Sequence, residues 1–379
     1  MSSNILLVIP WTFEKTGGVN VVVQNIATNL NKWTLRKVFV LENNWALKRG
    51  TLKTQKGCEL ISYPLRNRLS PKSFLEFFKL PVIFFDLFML TLILLKRGIR
   101  VVNFHYASSY VSYFLIMRKY GFVKQLVLSL HGTDLKFIEG LSKKQKSEFF
   151  ACIDNICFCS QFLKSEFLKL CPEYERLSIV IENGIDPNFL AEPKRQVPKP
   201  SQYILGVGSF APVKGFDILI EAYSKLVKDN SIQIDLVLIG KTTPYLNELK
   251  SMCVDLGISS RVHFLEDLPH SRLADYYQKA ELYVSSSRFE SFGRTFLEAG
   301  LLEVPVIATR TGGALEILEK NKSSIVVAID SHEEILNAMK VLVKDRKLMK
   351  TLGENLNKKI AENFSWQKAS LNYDQLYRR

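Results

Sequence analysis

Apolar and polar positions fall in a repeating order along this chain. A short apolar run ends on polar residues, and a stretch with helical spacing follows. Short apolar runs bounded by turn residues read as strands buried on both faces, and the amphipathic stretches between them as covering helices. In the first half the pattern predicts strands over 4–9, 37–41, 101–105, 126–130, 155–159 and 178–181. It predicts helices there over 19–30 and 74–96, the second broken at Pro81. In the second half it predicts strands over 203–207, 235–240, 262–265, 282–285, 306–308 and 325–327. Helices are predicted between them over 216–228, 243–256, 272–280, 295–302 and 333–345. Strands alternating with helices imply an α/β protein of two Rossmann-like, doubly wound units in tandem. Ligands of such sheets bind beyond the carboxyl ends of the strands, so the cleft between two such units is the default site.

The length of 379 residues also exceeds one ordinary core. The best linker is 191–200, where Pro193, Pro198 and Pro200 interrupt a polar run. The expected domains are 1–190 and 201–360, with a last helix over 361–379 packing back toward the first.

With 47% hydrophobic and 23% charged residues the chain is globular rather than disordered. The six cysteines show no paired zinc spacing, since Cys157-x-Cys159 has no second pair, and a reduced cytosolic setting fits them better than a disulfide framework. The segment 80–95 is the one candidate membrane span, but it contains Asp86 and falls short of about 20 apolar residues, so a buried or interface-lying helix is expected. Charge is lopsided. Of 51 basic and 37 acidic residues, 28 and 15 lie within 1–200, leaving 23 and 22 for the rest. A positive first half attracts anionic membranes, phosphorylated acceptors or nucleic acid, the alternative being a solubilising surface.

Several loops carry candidate chemistry. Glu290 and Glu298 stand eight residues apart around Phe292-Gly293-Arg294, between a predicted strand and a predicted helix. Two carboxylates there suit hydroxyl groups rather than phosphate. Gly206-Val207-Gly208-Ser209 follows a strand, and Lys214-Gly215 follows at a helix start, where an ammonium can meet phosphate oxygens. This is neither a Walker loop nor the dinucleotide fingerprint. Gly17-Gly18 after the first strand either admits a diphosphate or makes a tight turn. His131 ends a predicted strand and reads as a site residue, with Asp134 either orienting it or capping a helix.

Taken in order, these segments resemble the nucleotide-sugar-dependent retaining glycosyltransferases of family 4, of GT-B architecture, over nearly the whole chain. The most specific part is the Glu-x7-Glu pattern of Glu290 and Glu298, followed by 305–309, Gly312-Gly313 and Glu316. The resemblance implies an acceptor-side first domain and a nucleotide-sugar-binding second domain. It implies that Glu298 holds the ribose, Glu290 contacts donor-sugar hydroxyls, and the backbone around Phe292, Gly293 and Arg294 meets sugar and diphosphate. Lys214 would neutralise the diphosphate, His131 would lie near the donor sugar, and Gly17 and Gly18 would flank the diphosphate. Ser209 stands where the family commonly has arginine, with Arg288 and Arg294 as candidates to compensate. Glu266 stands where glycine is common.

A nucleoside diphosphate is a good leaving group that requires positive charge rather than a strong acid. Lys214 and helix amides supply that charge, so no metal and no cofactor are expected. A hydrolase would set two carboxylates across the glycosidic bond, whereas Glu290 and Glu298 share one loop–helix segment and read as binding groups. The expectation is thus a glycosyltransferase that takes a nucleotide-sugar donor. Its acceptor would be a lipid-linked, lipopolysaccharide or capsule-type glycan, and the protein would be cytoplasmic and peripheral to the membrane, with no nucleic-acid partner. The alternatives are a nucleotide-sugar epimerase of the same architecture, or a non-catalytic basic protein binding membrane or nucleic acid.

Overall fold

The computed structural model describes residues 3–14, 17–55, 57–66, 80–186, 200, 202–228 and 232–378. The chain forms two units, residues 1–183 with 366–379, and residues 184–365.

The first unit is built on eight strands among the described residues: β1 (Asn4–Ile9), β2 (Val38–Asn43), β3 (Thr51–Gln55), β4 (Cys58–Tyr63), β5 (Ile99–His105), β6 (Gln125–Leu130), β7 (Asn155–Phe158) and β8 (Ser178–Val180). They lie in the order β3-β4-β2-β1-β5-β6-β7-β8, and every pairing is parallel except β3 with β4. The central strands are apolar on both faces because helices cover both, which made them legible as unbroken runs. The β3–β4 hairpin was not predicted. β3 reads Thr-Leu-Lys-Thr-Gln and lies half-exposed at the sheet edge, where polar residues are the rule. Helices at Ser112–Lys119, Lys143–Phe150 and Gln161–Leu170 were also missed. Two of them are set by their caps, Ser142 with Gln145 in a reciprocal box and Ser160 on the Leu163 amide.

The predicted helix over 74–96 is seen as Leu80–Lys96, and its part before residue 80 lies outside the described residues. Pro81 is the second residue of the described helix. Among the described residues no helix is long and apolar enough to cross a membrane. The helix Trp366–Tyr377 belongs to the first unit. Its Trp366, Ala369, Tyr373, Leu376 and Tyr377 enter the core with Ile5, Val23, Ile26 and Val127. Arg36 pairs with Asp374 at 3.3 Å, and the Gln125 amide donates to the Leu376 carbonyl at 2.9 Å.

The second unit has a parallel sheet of β9 (Tyr203–Val207), β10 (Asp235–Gly240), β11 (Val262–Glu266), β12 (Leu282–Ser285), β13 (Val306–Thr309) and β14 (Ile325–Val327). Their order is β11-β10-β9-β12-β13-β14. All predicted strands of this half are present within a residue or two. Helices Phe216–Leu226 and His332–Lys344 pack Leu219, Tyr223, Ile335 and Met339 into the core of this sheet. The proposed linker, apart from Pro200, lies outside the described residues. All six cysteines are free thiols.

Both sheets have the strand order of dinucleotide-binding folds, which reverses between their first and fourth parallel strands. In such sheets the loops on either side of the reversal diverge and leave a crevice. The reversal falls between β1 and β5 in the first unit and between β9 and β12 in the second.

Candidate functional site

In the second unit the loops after β9 and β12 are tied together. The Pro212–Lys214 turn ends at Gly215, and the helix Phe216–Leu226 begins there. The Arg288 amide donates to the Val213 carbonyl at 2.8 Å, and the Ser286 hydroxyl to the Lys214 carbonyl at 3.1 Å. The Arg288 side chain reinforces this clasp. Its Nη1 and Nη2 meet Asp217 at 3.0 and 2.6 Å, and its Nε meets Asp330 at 2.6 Å. Its hydrogen bonds to Asp217, together with the charges of Asp217 and Asp330, raise the guanidinium pKa further above its ordinary range against a smaller burial effect. Arg288 is therefore a clamp between the β9 and β12 loops.

Within this frame Lys214 Nζ meets Glu290 Oε2 at 2.7 Å, both side chains being mostly buried. The lysine stem lies over Gly208, where a Cβ would come within 3.1 Å of Lys214 Cγ. Ser209 follows Gly208 on the same loop. The Glu290 carbonyl accepts from the Gly313 amide at 3.0 Å. A Cβ on Gly313 would stand 2.6 Å from that carbonyl oxygen and 2.5 Å from the Phe292 nitrogen, so only glycine lets the two loops close. Phe292 is buried with its ring against Phe364. Gly293, at φ 92°, turns the chain into the helix Arg294–Leu301.

Glu298 sits one turn into that helix and is almost fully buried. Its Oε1 accepts from His270 Nε2 at 2.8 Å and from Arg294 Nη2 at 3.2 Å. Burial alone would raise its pKa. The charges and hydrogen bonds of His270 and Arg294, with the Tyr277 hydroxyl, outweigh it and hold the carboxyl below its ordinary value. Arg294 thus serves Glu298 in this arrangement. Glu266 pairs with Lys250 at 2.8 Å on the β11 edge.

In the first unit Gly17 precedes the helix Gly18–Trp33 and borders open space, since a Cβ there would meet nothing within 4 Å. The loop after β1 is held from below by two groups that the sequence did not single out. Buried Glu42 accepts from the Phe13 amide at 2.8 Å and from Ser62 at 2.6 Å, and Asn20 donates to the Phe13 carbonyl at 3.0 Å.

His131 follows β6, and its Nε2 lies 3.2 Å from Nδ1 of His105, the last residue of β5, with the two rings stacked. Asp134 stands at the N-cap of the helix Leu135–Glu139, but its side chain makes no capping hydrogen bond there. Its carboxylate gathers the backbone amides of His131 at 3.0 Å, Gly132 at 2.8 Å and Ala107 at 3.3 Å. Burial pushes it up to about 6, against the pull of those amides.

Burial, with His131 adding to it, pushes the wholly enclosed His105 well below the imidazole value of 6.5. An unfolded chain takes a proton on His105 near that pH, and the folded chain refuses it. Stability is therefore complete above pH 6.5 and falls as pH drops below it, by about 1.4 kcal/mol per pH unit until the folded pKa is reached. His105→Gln should keep more of its neutral-pH stability at pH 5.5 than the parent chain. Urea unfolding of both proteins at pH 7.5 and 5.5 measures this, and parallel losses would refute it.

The chain is similar to known proteins along its length. Residues 16–189 match the family described as Glycosyltransferase Family 4, and residues 190–359 match Glycosyl transferases group 1. An uncharacterised glycosyltransferase of Methanocaldococcus jannaschii is 28% identical over 286 residues, which cover 74% of this chain and 76% of that protein. The lipopolysaccharide core biosynthesis mannosyltransferase LpcC of Rhizobium leguminosarum is 27% identical over 200 residues, covering 50% of this chain and 56% of that protein. Among solved structures, Anabaena HepE in complex with UDP and glucose superposes with a TM-score of 0.77 at 18% identity, covering 99% of each chain. The fold is GT-B, and the chain belongs to the family 4 glycosyltransferases. It is a retaining, nucleotide-sugar-dependent enzyme.

Proposed function

We propose that the chain moves a sugar from a nucleotide-diphospho-sugar to a lipid-linked, lipopolysaccharide-type or capsule-type glycan at the cytoplasmic face of a membrane. The observation that carries this is the Lys214–Glu290 pair, set on the two loops that flank the β9/β12 reversal, with the buried Glu298 cluster one turn away. Lys214 neutralises the departing diphosphate, and the dipole of the helix Arg294–Leu301 adds to its field. Glu290, aimed by Lys214, takes sugar hydroxyls, while Phe292, Gly293 and Arg294 line the sugar and diphosphate through their backbone. Glu298 takes the ribose, which would displace the half-exposed His270 from it. Gly17 and Gly18 border the diphosphate, Ser209 borders the phosphate loop, and His131 serves the donor sugar. In this arrangement the charge on the leaving group is met without a metal.

HepE was solved with UDP, which favours uridine as the base, and LpcC acts in lipopolysaccharide core synthesis, which supports a lipid-linked acceptor. The basic first half supports the same class of acceptor.

The test is calorimetric titration with UDP- and GDP-sugars, followed by transfer assays on lipid-linked and lipopolysaccharide-core acceptors, with and without EDTA. The expected result is micromolar binding of one UDP-sugar and EDTA-insensitive transfer that keeps the anomeric configuration. An isomerised sugar formed without acceptor would show an epimerase, and binding of RNA but of no nucleotide-sugar would end the proposal.

A further inference from the structure

The helix Leu80–Lys96 is apolar on both sides, yet one side alone is covered. Ile83, Asp86, Leu90, Ile93 and Leu94 are buried, whereas Phe84, Phe85 and Phe88 are 66%, 50% and 60% exposed and Leu95 is 45% exposed. Those outward residues recur at spacings of one, three and seven, which places them along one stripe of the helix. Exposed phenylalanines in such a row mark an interaction surface.

The charges beside the stripe define its partner. Asp86 is the one carboxylate between residues 80 and 100, and its side chain is wholly enclosed. Two arginines share it, Arg49 Nε at 2.9 Å and Arg66 Nε at 3.1 Å, while the Tyr63 hydroxyl donates to it at 3.1 Å. One buried negative charge held by two partly exposed guanidiniums leaves a local positive surplus at the surface. Each guanidinium also faces an exposed aromatic ring: Arg49 lies 5.9 Å from the Phe85 centroid and Arg66 5.0 Å from that of Trp45, itself 58% exposed. Apolar rings with tryptophan and arginine at their border, on a helix whose one carboxylate is enclosed, match the layered chemistry of a bilayer surface: acyl chains, then interface, then anionic headgroups. A protein partner would require acids to meet these arginines, and a second copy of this face would bring like charges together.

We propose that Phe84, Phe85 and Phe88 insert into the outer part of an anionic lipid leaflet, with Trp45, Arg49 and Arg66 at headgroup level. The helix then lies in the membrane plane, its inner side remaining packed on the first unit. This surface deepens the membrane reading given above, but its test contains neither donor nor acceptor and so stands apart from the transfer assays.

The experiment is flotation of the full chain with vesicles of phosphatidylcholine alone or with added phosphatidylglycerol, at low and high salt. Binding should require phosphatidylglycerol and weaken in high salt. The variant Phe84→Ser, Phe85→Ser, Phe88→Ser should lose at least about tenfold in affinity, because exposed rings leave water on binding. Its circular dichroism and thermal midpoint should match the parent, because no substituted side chain is fully buried. Quenching of fluorescence by brominated lipid should fall in Trp45→Phe but persist in Trp33→Phe. Equal binding by the triple variant, or quenching that persists without Trp45, overturns the proposal. Concentration-dependent dimers of the parent that vanish in the triple variant, without vesicle binding, overturn it in favour of self-association.

Discussion

Glu290→Ala is expected to lower kcat for sugar transfer by about 10²–10³-fold, the loss seen when one fixed polar group is removed from a preorganised site. Glu290 is held at both side chain and backbone. Lys214 grips its Oε2 at 2.7 Å, and the Gly313 amide grips the backbone carbonyl at 3.0 Å. Truncation removes the side chain but leaves the backbone grip intact, so the thermal midpoint should move by no more than about 2–4 °C. Lys214→Ala should instead act chiefly through the diphosphate and weaken donor binding as well as kcat. Because the two side chains touch, the double variant should cost much less than the two single losses combined. Steady-state kinetics on the three proteins, with melting curves beside them, give the comparison. Glu290→Ala activity within threefold of the parent would remove Glu290 from the site.

Gly215→Ala should be the most damaging single-atom-scale change in the second unit. At φ 62° the residue is left-handed, which costs an L-residue about 1–2 kcal/mol. The added Cβ would also fall well under 3.0 Å from the Ser286 carbonyl oxygen, closer than real Cβ contacts come. Relief requires the β12 loop to back away, and that loop carries the Arg288 clamp and leads to Glu290. The expected cost is about 3–5 kcal/mol of stability, with donor affinity reduced in whatever folded protein remains. Denaturant unfolding and calorimetry would separate the two effects. A loss below about 1 kcal/mol would show that the loop yields freely.

The sequence was most informative where burial is two-sided. β1, β9, β10 and β12 stand out because residues between two helical layers have no reason to be polar. β3 stood at an edge and carried lysine, so nothing in its pattern separated it from a loop. The same physics explains what was readable of the candidate site. Glu290, Lys214 and His131 follow strands, and strand ends are visible, so the residues after them could be singled out one by one. Their partners could not. Lys214 meets Glu290 across 76 positions, and His270 meets Glu298 across 28. His105 is the last residue of the strand predicted over 101–105, and that position was the available signal. The partners of Arg288 were hidden for a related reason. Its charge was plain, but Asp217 and Asp330, which pair with it, lie 71 and 42 residues away. Glu42 lies just past the strand predicted over 37–41, and its partners Phe13, Ser62 and Lys53 are 29, 20 and 11 residues away.

The helix Trp366–Tyr377 gives the two units different histories during synthesis. Residues 184–365 form one body from one uninterrupted stretch, so all its contacts are within reach once that stretch has left the ribosome. The other body must wait. Its sheet emerges early, but the face of β1 near Val23 and Ile26 gains its last cover when Trp366, Tyr373 and Tyr377 arrive. Until then that face is an apolar surface in water, open to chaperones and to aggregation.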